Sequence, residues 1–248
     1  MKEDAATIIK QIKSAYKSNY GDNYKDSLNQ ALTSAGYKNL SEYRQKMIKQ
    51  IQYANFLLDY IDDHFDDVFN DYYQQCAPKY VSLIKISVSD TSSPTDDETS
   101  KLNEVKELIS NTDKSFGDIA QDYSNDSTSS KKGSLGIVDS KDTSGIANSY
   151  GKDVFNAIEA LSEGQVSDVI TGDNGYYFVK VTSTDKKTLK KELKKTDIDS
   201  PLLAYDDYLQ YVVYNSYKIN YKDKDIKKIV QEVVNKALEE RKTERGEA

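Results

Sequence analysis

The residues whose types could do chemistry are few in this chain of 248 residues. A single cysteine, Cys76, excludes an internal disulfide and any cysteine-based zinc site, and reads as a small packed residue. With a single histidine, His64, a mixed metal site would have to rely on carboxylates. His64 stands among Asp62, Asp63, Asp66 and Asp67, and Asp63 to Asp67 brackets one helical turn. That spacing admits a weak cation site, while a solvated acidic helix start accounts for it more simply, because carboxylates are favoured at helix N-termini. Neither a metal nor a cofactor is expected. The densest patterning lies elsewhere, from Phe116 to Val181: FGDIAQDYSNDSTSSKKGSLG, then DVFNAIEALSEGQVSDVI, then the strand NGYYFVKV.

Composition bounds what surrounds that stretch. With 37% hydrophobic and 30% charged residues the chain reads as globular, without the apolar depletion that marks disorder. Acidic residues outnumber basic ones, 41 to 34, and the net charge of −7 argues against nucleic acid or an anionic membrane as partner. Twenty tyrosines against six phenylalanines and no tryptophan suggest half-exposed aromatic surfaces, apolar in the ring and polar at the tip. There is no apolar run of about 20 residues and no basic-then-apolar signal at Met1, so the chain as given is expected neither to span nor to enter a membrane.

The elements that must position any site follow from periodicity. Residues 5–20 place Ile8, Ile12 and Ala15 or Tyr16 on one helical stripe that ends at Tyr20-Gly21. A second helix carries Tyr24, Leu28, Ala31, Leu32 and Ala35 and stops at Gly36. A third, with Ser41 as N-cap, runs Tyr43, Met47, Ile51, Ala54, Leu58 and Ile61, and a short fourth holds Phe65, Phe69, Tyr72 and Tyr73 before Pro78. Val81 to Val88 is a strand. Thr95 and Glu98 have capping-box spacing ahead of a helix with Leu102, Val105, Leu108 and Ile109. Phe116 to Tyr123 and Asp153 to Leu161 are further helices, and Tyr176 to Thr182 is a strand expected to pair with the first. Leu189 and Leu193 sit in a lysine-rich helical stretch. Ser200-Pro201 opens a helix through Leu202, Tyr205, Leu209, Val212, Val213 and Tyr217. Lys218 to Tyr221 is expected to be extended, and Asp223 starts a last helix through Leu238, with a frayed charged tail after Arg241.

Tyr-Ser-Asn-Asp closing a helix, Gly-x-Leu-Gly seven residues on, Leu-x-x-Gly-x-Val-Ser and a final Gly-Tyr strand occur here in one order and spacing. Together they resemble the body of a parvulin-type peptidyl-prolyl isomerase. The whole layout, with a Tyr-Gly-Asp-x-Tyr segment and an Asp-rich helix leading into the first strand, resembles the PrsA-type foldases of Gram-positive bacteria and, more distantly, the SurA-type chaperones. The resemblance implies an α+β fold: a parvulin-like domain at 79–185, an antiparallel sheet with about three to four helices, inserted into a discontinuous all-α chaperone domain formed by 1–78 and 186–248.

Isomerising a prolyl bond needs no nucleophile, only a grip on the ring and polar groups that favour the twisted amide over a barrier of about 20 kcal/mol. Parvulins resemble one another in using two strand histidines, an Asp or Cys between them, and an apolar ring pocket. On this chain the first histidine falls on Leu83 and the second on Tyr177, so both are replaced, and Asp126 keeps the Asp or Cys position seven residues before Gly133. Leu135 keeps the pocket leucine, Val138 replaces the aromatic, and the pocket phenylalanine falls on Val154 or, one residue later, Phe155. Leu83 offers no hydrogen bond, and Tyr177 ionises near pH 10 rather than near 6.5. A turn-forming role for Asp126 is at least as good as a catalytic one. The loop Ser89 to Ser100 carries Asp90, Asp96, Asp97 and Glu98, which would repel a phosphorylated substrate.

The resemblance therefore implies a foldase that binds unfolded or partly folded polypeptides and proline-containing segments through a parvulin domain with degenerate catalytic positions; the other reading is an active isomerase. It further implies an extracytoplasmic protein of a Gram-positive cell, membrane-associated only through a lipid anchor absent from this chain. Homodimerisation is open, and nucleic acid is not a partner.

Overall fold

The computed structural model describes residues 2–111, 113–194, 200–205 and 207–244. Two compact units divide the chain, Met1–His64 and Phe65–Ala248. The first contains α1 (Lys2–Tyr20), α2 (Tyr24–Ser34) and α3 (Leu40–Asp63). Its centre is Ala5, Ile9 and Met47, with Ile12, Leu40, Tyr43, Ile48 and Ile51 packed against them. The buried stripe is shifted by one residue from the expected one in two places: Ile9 and Leu57 are buried, while Ile8 is exposed and Leu58 half-buried. Neighbouring apolar residues flank the same helical face, and the facing helix selects between them. Gly36 adopts a φ of +82° after α2, which lets the Tyr37 N–H donate to the Leu32 carbonyl at 2.9 Å. The N-cap of α3 is Asn39 and not Ser41: Asn39 Oδ1 accepts from the Glu42 N–H at 2.9 Å while Glu42 Oε2 accepts from the Lys38 N–H at 2.7 Å. Only Asn39 has a glutamate three residues on to close such a reciprocal cap.

In the second unit β1 (Lys79–Ser87) is central. It pairs antiparallel with β2 (Ser134–Val138) on one side and β4 (Gly175–Ser183) on the other, and β3 (Ile170–Gly172) follows β4, giving the order β2-β1-β4-β3. The two faces of this twisted sheet bury different helices. Ile84, Ile86 and Phe178 pack under α5 (Asp96–Asn111) and α6 (Phe116–Tyr123) through Leu102, Val105, Phe116, Ile119 and Ala120. Val81, Leu83, Tyr177 and Val179 pack under α7 (Ile146–Tyr150) and α8 (Lys152–Ala160) through Ile146, Val154 and Ile158. The capping box before α5 is present in both directions, with Thr95 Oγ1 accepting from the Glu98 N–H at 3.2 Å and Glu98 Oε2 accepting from the Thr95 N–H at 2.8 Å. The fold is α+β, with four helices on the sheet.

The helices α4 (Phe65–Cys76), α9 (Lys186–Leu193), α10 (Pro201–Ala204), α11 (Asp207–Ser216) and α12 (Lys224–Glu244) complete this unit. Helix α4 joins them to the sheet through buried polar contacts. Tyr72 Oη donates to Asp139 Oδ2 at 2.7 Å, just after β2. Tyr205 Oη donates to Asp71 Oδ2 at 2.6 Å, and the Arg241 guanidinium of α12 pairs with the same carboxylate. Ser200 caps α10 with Pro201 at its start, but the helix does not continue to Tyr217 as periodicity suggests. Tyr205 leaves helical geometry at φ −99°, ψ 79°, with its ring 5.4 Å from that of Tyr72. At this point its hydroxyl is held by Asp71. Lys218 to Tyr221 forms no strand. Asp223 Oδ1 caps α12, accepting from the N–H groups of Asp225 and Ile226 at 2.8 and 3.0 Å. The tail after residue 244 lies outside the described residues.

Because Asp71 and Arg241 are 3% and 11% exposed at their side chains, replacing Asp71 with alanine leaves a buried guanidinium uncompensated. Asp71→Ala is expected to destabilise the Phe65–Ala248 unit by about 3–5 kcal/mol, read from urea unfolding followed by far-UV circular dichroism. A change under about 1 kcal/mol would mean the pair is solvated and of little account.

Candidate functional site

The central strand pair fixes the floor of the candidate site. Leu83 on β1 faces Val179 on β4, and Lys85 faces Tyr177. Leu83 is fully buried and Tyr177 is 3% exposed, within one apolar cluster that also takes in Val138 and Val154. Leu135 and Phe155 pack at its margin, half-buried. The residues expected around the ring pocket therefore meet on one face of the sheet, four of them as core rather than as an open cleft.

Two close approaches shape this floor. The Leu83 N–H donates to the Gly133 carbonyl at 2.8 Å, and Gly133 has a φ of +75° with no room for a side chain, since a Cβ there would come within 2.4 Å of the Leu83 oxygen. A Cβ on residue 172 would fall 2.6 Å from Tyr177 Cε2, so Gly172 leaves space for the phenol ring. At the far end of β1, Lys79 Nζ donates to the carbonyls of Ile158, Glu159 and Leu161 at 2.9, 2.6 and 3.0 Å. An ammonium at the end of α8 satisfies its last carbonyls and holds the helix, with Val154 on it, over the sheet.

Asp126 is positioned by β1 as well. Ser124 Oγ accepts from the Lys85 N–H at 3.0 Å and the Asn125 N–H donates to the Lys85 carbonyl at 2.8 Å, so the segment after α6 is tied to the strand. Asp126 Oδ1 accepts from Thr128 N–H at 2.9 Å and Thr128 Oγ1 at 2.6 Å, which caps a short 3-10 helix at Ser127–Lys131. A third and longer bond, 3.4 Å, comes from the hydroxyl of Tyr150.

Tyr150 was not singled out from sequence. It lies in the segment between Val138 and Val154, where no sequence motif pointed to it. That segment forms α7, capped by Asp142, whose carboxylate accepts from the N–H groups of Ile146 and Ala147 at 2.6 and 3.0 Å. The Tyr150 ring meets that of Tyr177 edge to face, centroids 6.2 Å apart at 82°. Burial, then the Asp126 carboxylate, pushes the Tyr150 phenol up to about 12. Burial also raises Tyr177, with Asp126 and Asp173 adding to it, and its hydroxyl donates to Asn174 Oδ1 at 2.8 Å. Both phenols stay protonated at neutral pH and can donate hydrogen bonds, yet neither can exchange tautomers as an imidazole does. A cavity of about 430 Å³ opens beside them, between the α7–α8 junction and the β3–β4 turn.

The other reactive groups lie apart from this site. Cys76 is fully buried, and burial followed by Asp139 pushes its thiol up to about 12, so it is inert at neutral pH. His64 is the C-cap of α3. Among the described residues no three His, Cys, Asp or Glu side chains gather as a metal site would require.

The chain is similar to known proteins over part of its length. Residues 83–183 match the PPIC-type PPIase domain, or rotamase, family. The foldase protein PrsA of Staphylococcus epidermidis is 32% identical over 141 residues, 54% of this chain and 41% of that protein, and PrsA of Staphylococcus aureus strain MRSA252 aligns to the same extent. The chain thus matches less than half the length of these relatives. Among solved structures, that of PrsA from Bacillus subtilis covers 90% of this chain and 78% of its own at 22% identity, with a TM-score of 0.38.

If Asp126 serves mainly as a cap, Asp126→Ala is expected to cost about 0.5–2 kcal/mol of stability and Asp126→Asn much less, because asparagine keeps the acceptor. Leu83→His, which places a histidine where the resemblance expects one, is expected to cost more, about 2–5 kcal/mol, by putting a polar ring in a filled apolar cluster. Urea unfolding of the three variants checks both statements; equal losses for Asp126→Ala and Asp126→Asn would assign the carboxylate a role that needs its charge.

Proposed function

We infer, from the premise that this is a PrsA-type parvulin protein with a PPIC-type domain at residues 83–183, that the chain is a foldase working chiefly by binding. In this reading its helical parts, 1–78 and 186–248, hold unfolded exported polypeptides, and the parvulin domain engages proline-containing segments with little isomerisation. The observation that carries it is the fate of the two histidine positions: Leu83 and Tyr177 are built into the core, 0% and 3% exposed. Leu83 is closed to a bound amide, and Tyr177 can be met only from the adjoining cavity that it lines.

Support for holding comes from apolar side chains that the helices leave exposed. On α12, Ile226, Ile229 and Val233 are 55%, 60% and 64% exposed, spaced to share one face, and Tyr214 of α11 and Tyr217 just after it are exposed as well. A groove of about 310 Å³ lies between these helices, lined by Tyr211, Tyr214, Val233 and Leu238. In the first unit Tyr53 and Phe56 of α3 are about half exposed. Contiguous apolar area of this kind is how a holdase recognises unfolded chains without sequence specificity. An extracytoplasmic location in a Gram-positive organism accompanies this reading by resemblance. No helix among the described residues is long and apolar enough to cross a membrane.

A second reading, a slow isomerase, is favoured by one observation: Asp126, Tyr150 and Tyr177 form a contiguous polar edge on the apolar floor. Exchange spectroscopy on X-Pro peptides, run beside a client-aggregation assay, separates the two. Delayed client aggregation with no acceleration of cis/trans exchange is the expected result. Acceleration that is lost in Asp126→Ala and in Tyr150→Phe would replace the binding reading with the isomerase, and failure to delay aggregation of any unfolded client would remove the holdase.

A further inference from the structure

The net charge of −7 is spread unevenly along the chain. From Ala5 to Tyr20, helix α1 carries Lys10, Lys13 and Lys17 and no acidic residue. Steps of three and four place these lysines on one helical face, neighbouring Cβ atoms about 5–6 Å apart, where like charges weaken a helix. On α12 a step of four joins Lys236 to Glu240; on α1 no ion pair among the described residues offsets the repulsion. All three lysines are exposed, and all three line one hollow of about 310 Å³ between α1 and α2, together with Ser14 and Tyr24. Ile9, 8% exposed, supplies apolar surface to it, and no carboxylate is in the lining. We propose that this hollow binds a phosphate ester, its phosphate among the three ammonium groups and its carbon stem on Ile9.

Three features select that chemistry. A lining with ammonium groups and no carboxylate selects an anion, in a chain that is acidic elsewhere. Lysine ammonium groups are compact point charges with rotatable donors, and the Ser14 hydroxyl and Tyr24 phenol add two neutral donors, so that several oxygens of a tetrahedral phosphate can be met at once. A planar carboxylate is matched better by the guanidinium fork, and no arginine lines the hollow. The hollow is also larger than a bare phosphate, and Ile9 offers a carbon stem the contact that an inorganic ion would leave unused. Such an ester can be free in solution or the headgroup of an anionic phospholipid. The acidic surplus of the rest of the chain repels a flat anionic surface, so the soluble ester is the expected occupant. The hollow lies wholly within the Met1–His64 unit and does not depend on how the parvulin domain works.

The test uses the full chain, titrated by ¹⁵N NMR with glycerol 3-phosphate and, at matched ionic strength, with acetate. Glycerol 3-phosphate is expected to bind with a Kd of about 1 mM, its shifts concentrated on Lys13, Ser14, Lys17 and Tyr24, and acetate to move these residues less. Lys13→Gln combined with Lys17→Gln should weaken binding by about three- to tenfold. Lys187→Gln combined with Lys191→Gln, two exposed lysines of α9, should leave it unchanged. Removing like charges from α1 relieves the helix, so far-UV circular dichroism should show both double variants folded. Co-sedimentation with phosphatidylglycerol vesicles assigns the source. Retention that the α1 double variant loses makes the ester a lipid headgroup; no retention, or retention that the variant keeps, beside binding in solution makes it a soluble one. Equal responses to acetate and glycerol 3-phosphate, or equal weakening by the two double variants, overturn the phosphate site. Absence of both binding in solution and variant-sensitive retention overturns it as well.

Discussion

The pairing of β1 with β4 is the constraint on which the candidate site depends. It brings Leu83 and Tyr177 onto one face of a two-sided sheet, Leu83 opposite Val179 and Tyr177 opposite Lys85. Once a leucine and a tyrosine occupy these places, burial is the favourable outcome: the leucine gains about 2 kcal/mol or more by leaving water, and the tyrosine can bury its ring because its hydroxyl finds Asn174. The floor that would grip a twisted amide becomes core. What remains open lies to one side, between α7, α8 and the β3–β4 turn, where polar groups and solvent persist.

Helix α4 is the second organising element, and it acts through buried polar contacts instead of apolar area alone. Asp139 is fully buried and accepts from Tyr72, from Thr143 and from the Lys141 and Thr143 N–H groups, so its charge is well supplied with donors. Asp71, the residue before Tyr72 and therefore on the neighbouring face of α4, holds Tyr205 and Arg241. Such pairs add less stability than hydrophobic packing of the same volume would, but they specify one arrangement, since any other leaves a charge unpaired in the interior. In this unit they fix where α10 ends and which end of α12 is tied down. The remainder of α12 keeps its apolar residues near solvent.

These two features divide the labour of the proposed foldase. Non-directional apolar exposure on α11 and α12 suits clients without a defined sequence. The cavity beside Tyr150 and Tyr177 is instead lined by aromatic, polar and charged side chains. In the proposed reading both serve binding, and neither requires imidazole chemistry.

Much of this was legible in the sequence because it depends on local pattern. Helix stripes, the Thr95–Glu98 box, the Ser200-Pro201 start and the pairing of the two long strands follow from spacing that neighbouring residues impose on one another. That residues 83 and 177 are leucine and tyrosine is likewise a matter of residue identity. The short strands β2 and β3 and the helix α7 were not legible, since each is too short to show a period and exists only through what it packs against. The choice of Ile9 over Ile8, the break at Tyr205 and the cap at Asn39 were decided by competing partners of near-equal local merit. The same holds for the site: sequence placed Asp126 and Tyr177 on their elements, but only the fold brought Tyr150 from α7 against both. That meeting joins residues 24 and 27 positions apart, and no local rule reaches so far, because such contacts form only when long-range burial has already closed the chain.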